Sequence, residues 1–407
     1  MSLISSVTAF KYLNSRARWT VCARVQLDDG VEVIQTVPDG ASKGAKEAIA
    51  LPVEEAIQNI NIVIAPALIG LSPLDQKNID DLLIKMAITE NKSGIGANAT
   101  LAVSLAVARA ASRSEHKSLY LYIRDLFNKS GPLVMPTPVF NILNGGLHAQ
   151  NGLSFQEFML IPGMNFSYEH KVEIGVDVYN KLRAKLQEKG YGVGLGDEGG
   201  FAPEGFTTRK ALEFLISSIE DAGYVPGKDA FLGMDVAAGS FYDKKSLKYE
   251  IKEESLSLSA LEMSSYYSSL LKDFPIIYLE DPLYEDALDD WYGLYKALSK
   301  RTMIVGDDLV VTNSSILKKA LDPKCLNAVI VKPNQIGTLS ETLEFMRLAQ
   351  NNDLVTIVSH RSGDTAEDTF VSDLALGTGA EFVKFGAPAR GERVVKYNRL
   401  LDLYHRI

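Results

Sequence analysis

Phe231-Leu-Gly-Met-Asp235 is a short apolar run closed by one ionisable residue, and five more runs of the same build follow it. They are Ile276-Ile-Tyr-Leu-Glu280, Met303-Ile-Val-Gly-Asp307, Ala328-Val-Ile-Val-Lys332, Val355-Thr-Ile-Val-Ser-His360 and Glu381-Phe-Val-Lys384. The closing residues are spaced by 45, 27, 25, 28 and 24 positions. A buried strand, a turn and a helix together take about 25–30 residues, and near-continuous apolar strands at that period belong to a parallel sheet covered by helices. In a closed barrel of such units, residues at the carboxyl ends of the strands gather at one mouth. Three acids, two lysines and a histidine would meet there.

Working outward, Asn128-Lys-Ser-Gly-Pro132-Leu-Val-Met-Pro136-Thr-Pro138 has the composition of a linker. It divides the 407 residues into 1–130 and 131–407. The first part opens with three β-like runs, 4–12, 19–27 and 31–37, with hairpin chemistry at Asp28-Asp29-Gly30. Helical patterns follow at about 45–65, 73–87, 97–114 and 118–128. Strands then helices suggest an α+β domain. The second part alternates strand and helix and has the size of one eight-stranded α/β (TIM-like) barrel. Its first strands, 139–143 and 158–161, lie too close for a helix between them. That predicts an antiparallel hairpin among the first strands.

The net charge of −9 leaves no footprint for nucleic acid and argues against an anionic membrane surface. No secretory signal or spanning segment is visible, and the chain reads as cytoplasmic. Cys22 and Cys325 stand in no metal or redox spacing and read as buried hydrophobes.

Asp235, Glu280 and Asp307 would repel one another at a shared mouth unless a cation lies between them. An all-oxygen set points to a hard divalent ion, Mg²⁺ before others. Any one of the three alone would read as a helix N-cap. Lys332 and Lys384 close two further strands. A lysine beside a cation has a lowered pKa, which suits a base for a C–H proton; the rival reading, that the lysines only balance the acids, competes for Lys384 and is weaker for Lys332. Gly196-Asp-Glu198-Gly-Gly-Phe-Ala-Pro203 reads as a flexible loop delivering Glu198 or as a plain turn. Its match to a dinucleotide fingerprint fails, because it follows a helix and carries acids. His148 reads as exposed on a Gly-rich loop, and it and His360 are the two histidines placed at the mouth. His360-Arg361-Ser362-Gly363 offers donors suited to a phosphate.

Taken together these motifs resemble the enolase family, the phosphopyruvate hydratases, over essentially the whole chain. The likeness is most specific at 196–203, 233–238, 279–282, 307–309, 332–338, 359–363 and 384–390. The resemblance implies Asp235, Glu280 and Asp307 as ligands of a tightly held Mg²⁺, with a second ion arriving with substrate. It implies Lys332 as the base for C2 of 2-phosphoglycerate, and Glu198, with Glu157 beside it, as the acid assisting loss of the 3-hydroxyl to give phosphoenolpyruvate. Gln156, His148, His360 and Lys384 match substrate contacts, and Arg361 and Ser362 phosphate contacts. It further implies a homodimer or a ring of dimers. A lysine-or-histidine base with one or two Mg²⁺ ions is a stated pattern of that superfamily.

The sequence departs from the family around the lid-like loop 37–44. Asp39 stands in place of a serine expected to ligate the second ion, and could do so through its own oxygen. Glu47-Ala-Ile-Ala-Leu-Pro52 runs directly into helix where an Arg-Asp-Gly-Asp stretch is usual. Leu147 and Gln150 are further replacements, and Thr365-Ala-Glu367 holds an extra residue. Two rivals remain: a dehydratase for another hydroxy acid, which Arg361 and Ser362 disfavour, and a non-catalytic binding protein, which Lys332, Glu198 and the three acids disfavour.

Overall fold

The computed structural model describes residues 2–40, 44–149 and 151–407. The N-terminal part holds β1 (Ile4–Leu13), β2 (Trp19–Leu27) and β3 (Glu32–Thr36) in one antiparallel sheet. β2 packs on the helix Ala97–Ser114, whose small side chains let it approach closely and which is buried on nearly every face.

The second part is a closed barrel. In chain order its strands are β4 (Thr137–Asn144), β5 (Glu157–Pro162) and β6 (Ala230–Asp235). After an inserted small sheet of β7 (Tyr242–Asp243), β8 (Lys248–Ile251) and β9 (Leu256–Leu258) come the other five. These are β10 (Ile276–Glu280), β11 (Met303–Gly306), β12 (Ala328–Val331), β13 (Val355–Ser359) and β14 (Phe382–Gly386). β5 is antiparallel to both β4 and β6, as the predicted hairpin requires; every other barrel pair is parallel. The insert explains why the first interval in the sequence is so much longer than the rest.

Strand side chains alternate between two faces. Met159, Ile161, Tyr278, Val305, Ala328, Ile330, Ile357 and Phe382 form a buried cluster of their own, filling the barrel interior. Two residues further along the same faces stand Glu157, Glu280, Asp307, Lys332 and Lys384. The parity that buries the apolar plug therefore turns the ionisable residues inward above it. Cα pairing also sets Asn144, Glu157, Asp235 and Glu280 side by side around the rim.

The two parts are joined by polar contacts at the helix Leu339–Gln350, just after the Lys332 loop. Asp80 Oδ2 accepts from Ser340 N–H at 2.8 Å, Ser104 Oγ from Leu339 N–H at 2.9 Å, and Lys92 pairs with Glu341 at 2.8 Å. These supply partners for N–H groups that a helix leaves unmet at its start.

The expected helix over 45–65 begins only at Val53 and continues to Leu68 with a π-helical turn at Ile60–Ile64. Pro52 biases Leu51 away from helix. The backbone of 48–51 is bonded elsewhere: Ile49 N–H to Asn91 O at 2.7 Å, and Leu51 N–H to Asn98 Oδ1 at 3.1 Å. Helices at Ser314–Leu321 and Phe370–Thr378 were not marked in the sequence.

Candidate active site

A cavity of about 230 Å³ opens at the carboxyl end of the barrel. Its wall includes His148, Gln156, Glu157, Glu198, Asp235, Asp307, Lys332, His360, Arg361, Ser362 and Lys384. Glu280 is fully buried behind Lys384. The Lys384 ammonium sits 3.0 Å from Asp235 Oδ2, 3.0 Å from each oxygen of Glu280 and 3.2 Å from Glu157 Oε2. Gln156 Nε2 donates to Asp235 Oδ2 at 3.2 Å. Across the mouth, Lys332 pairs closely with Asp307 Oδ2, and Gln335 donates to Asp307 Oδ1 at 2.9 Å. Asp281 accepts from the N–H groups of Asp307 and Asp308 at 3.0 and 2.8 Å, fixing the turn after β11.

Glu198 is delivered by a pinned loop, not a flexible one. Gly196 N–H bonds Gly200 O at 2.8 Å, Phe201 N–H bonds Ile142 O at 2.9 Å, and Tyr179 OH donates to Gly199 O at 2.9 Å. A Cβ on Gly196 or Gly200 would stand 2.7 or 2.6 Å from the Asn144 side chain, so the close approach to β4 needs glycine at both. Asn141 Nδ2 donates to Glu198 Oε2 at 3.2 Å. His148, expected to be exposed, is buried instead, with Nδ1 3.5 Å from Glu157 and 3.9 Å from Glu198. The turn Gly146–His148 folds it back under the loop.

His360 Nε2 faces Glu198 Oε2 at 3.2 Å, and Arg393 Nη1 lies 2.6 Å from His360 Nδ1. A guanidinium only donates, so Nδ1 accepts and the ring proton lies on Nε2. Burial pushes the His360 pKa down to about 3, which keeps the ring neutral. Arg393, fully buried, also donates to the carbonyls of Arg361 (2.7 Å) and Ser362. Sequence reading passed over Arg393, Asp281, Gln335 and Asn141, because each acts through buried bonds to its neighbours and closes no strand.

The electrostatics divide the site in two. Burial and the nearby Glu198 carboxylate push Glu157 well above the usual range, whereas for Glu198 burial is outweighed by His360 and His148, which hold it well below, so Glu157 is the one of the two that favours its proton. Burial and the Asp235 charge raise Glu280 to about 8, with Lys384 opposing. Burial would lower the Lys384 pKa, but Asp235, Glu157 and Glu280 outweigh it and hold the ammonium well above its ordinary value. Lys332 behaves likewise. Burial lowers it, Asp307 raises it more, and the balance is upward, contrary to the lowered pKa expected from a cation alone.

Comparison with known proteins points to one family over both parts of the chain. The N-terminal domain of enolase matches residues 4–123, and its C-terminal TIM barrel domain matches residues 132–407. The "Enolase" of a Nitratiruptor species is 41% identical over 413 residues, covering 99% of this chain and 96% of the relative.

The chain belongs to the enolase family.

Membership in the enolase family implies a divalent ion, and the donor set fits one. Among the described residues, eight carboxylates line the cavity (Glu47, Glu157, Glu198, Asp235, Asp281, Glu285, Asp307 and Asp308) against three cations, Lys332, Arg361 and Lys384. The trio Asp235, Glu280 and Asp307 is nevertheless not drawn to one point. Lys384 lies between the first two, and Lys332 takes the third. Among the described residues, the groups whose ligand atoms approach within 4.8 Å are His148–Glu157–Glu198 and Asp281–Asp307–Asp308. Asp39 lines a neighbouring cavity of about 140 Å³ and is tied to Gly363 by two backbone bonds, 2.8 and 2.7 Å. The middle of its loop, Ala41-Ser42-Lys43, and Gln150 lie outside the described residues. No helix among the described residues is long and apolar enough to cross a membrane.

Proposed function

We infer that the protein is a hydro-lyase that reversibly dehydrates 2-phosphoglycerate to phosphoenolpyruvate, with Mg²⁺ as its divalent ion. The observation that carries this reading is a lysine and two adjoining, oppositely shifted carboxylates, Glu157 and Glu198, in one acid-rich cavity with Arg361 and Ser362. Asp235, Glu280 and Asp307 would hold the ion, which when bound would supply positive charge to the substrate carboxylate; a second Mg²⁺ entering with substrate belongs to the same reading.

A proton α to a carboxylate is barely acidic, since its loss adds a second negative charge to the group. Lys332 takes that proton at C2. The electron pair left on C2 and the carboxylate then forms the C2–C3 double bond as the C3–O bond breaks, and Glu198, beside Glu157, delivers a proton to the departing hydroxyl to give water. Lys332 must be neutral to accept. Burial, Arg361 and Lys384 all oppose its ammonium, and Asp307, with a smaller contribution from Glu280, tips the balance upward. An ion held by Asp307 would take up that carboxylate's charge, leaving burial, Arg361 and Lys384 to favour the neutral amine. Gln156, His148 and His360 orient the substrate, Lys384 holds its carboxylate end, and Arg361 and Ser362 take the phosphate.

The division at residues 130/131, a homodimer or ring of dimers, and a cytoplasmic setting complete the proposal; light scattering reads the assembly. Ultraviolet detection of phosphoenolpyruvate formed from 2-phosphoglycerate tests the reaction. No product from folded protein at high Mg²⁺ would overturn it. A panel of unphosphorylated hydroxy acids separates the related-dehydratase reading.

A further inference from the structure

Arg361 already has an anion against it. Both oxygens of Glu47 lie 3.1 Å from Arg361 Nη1, and the two side chains are only 9% and 6% exposed. Glu47 lies on the non-helical stretch before Val53, where its Oε1 also accepts the Gly44 N–H at 3.0 Å. Its side chain borders both the catalytic cavity and the neighbouring one that holds Asp39. Asp307 and Asp308 add negative charge around the same guanidinium. A phosphate arriving at Arg361 therefore meets a carboxylate held in the place it needs. Two anions around one buried cation repel strongly, because little water screens them.

We propose that Glu47 is a specificity-determining residue, an internal competitor that holds Arg361 until a phosphate dianion displaces it. This rests on the reading that Arg361 receives the substrate's phosphate. The exchange selects by charge. A dianion with several acceptor oxygens outcompetes one carboxylate for the guanidinium, whereas a singly charged or neutral group does not. An unphosphorylated hydroxy acid is thereby excluded by a contact made inside the protein, in addition to any contact it fails to make itself.

The test is calorimetric titration of inorganic phosphate into the full chain, for the wild type, Glu47→Gln, Glu47→Ala and Glu47→Asp. Removing the competing charge is expected to tighten phosphate binding on the order of tenfold in Glu47→Gln and Glu47→Ala, the scale of one charge-assisted hydrogen bond. Glu47→Asp keeps the charge and stays near the wild type. The KM for 2-phosphoglycerate falls with the phosphate Kd, whereas a structural lesion would raise KM. Phosphate binding that is unchanged or weaker in both folded, uncharged variants overturns the proposal. Phosphate calorimetry needs no turnover. A wild type that forms no phosphoenolpyruvate, yet gains phosphate affinity on Glu47→Gln, upholds the competitor and removes the assigned reaction.

Discussion

Replacing Lys384 by methionine removes one charge and little volume, and its cost can be worked from the contacts. The ammonium stands 3.0 Å from Asp235 and Glu280 and 3.2 Å from Glu157. At an effective dielectric of about 20, each unit pair at 3 Å is worth roughly 5–6 kcal/mol before desolvation. Burying the ammonium costs several kcal/mol, and the carboxylates can take up protons once it is gone. Removing one partner of a buried ion pair then costs about 3–5 kcal/mol net. In chelator the deficit grows as pH rises through about 8, where wild-type Glu280, with Lys384 beside it, gives up its proton and the variant's, lacking that ammonium, does so less readily. It shrinks at pH 6, where protons substitute for the lysine, and with excess Mg²⁺, which supplies the missing charge. Urea unfolding midpoints of Lys384→Met and wild type, with chelator or Mg²⁺ at both pH values, read all three effects. Equal stability of the two proteins in chelator at pH 8 would refute this account of the acidic rim.

Three further outcomes follow from the same geometry. Lys332→Ala lowers turnover by roughly 10²–10⁴-fold, the range for a positioned base. It also tightens Mg²⁺ binding, since Asp307 loses its ammonium partner; a coupled assay and calorimetry check the two. Glu198→Gln blocks product formation over a similar range but leaves Lys332 able to exchange the C2 proton of 2-phosphoglycerate with solvent deuterium, as seen by NMR. Finally, Glu280 has its folded pKa raised to about 8, so below that pH it carries a proton that a cation must displace. Mg²⁺ affinity therefore falls as pH drops from about 9 to 6, by up to roughly tenfold per unit for one proton. Calorimetry in buffers of different ionisation enthalpy reads the proton release.

The barrel was legible because its signal is a period. Buried parallel strands need continuous apolar runs, and the covering helices fix their spacing. The inward aim of Asp307, Lys332 and Lys384 was also present in the text of the chain. Each lies two residues beyond a plug residue, Val305, Ile330 and Phe382, on an alternating strand. The insert β7–β9 was not legible, since strands of two to four residues are too short for their alternation to stand out. The early helix was placed too far forward because periodicity ignores what the backbone of 48–51 bonds to across the fold. Individual site residues could be named, but their pairings could not. That Lys332 would be held by Asp307, Arg361 by Glu47 and His360 by Arg393 depends on distances between elements remote in sequence. The upward shift of Lys332 follows from one such pairing.

The most direct test of the central claim is a crystal grown with Mn²⁺ and phosphoenolpyruvate, read by anomalous scattering. The account predicts an ion bonded to Asp235, Glu280 and Asp307 together, with Lys384 drawn off toward the ligand. An ion held instead by Asp281, Asp307 and Asp308, or by His148, Glu157 and Glu198, would contradict it.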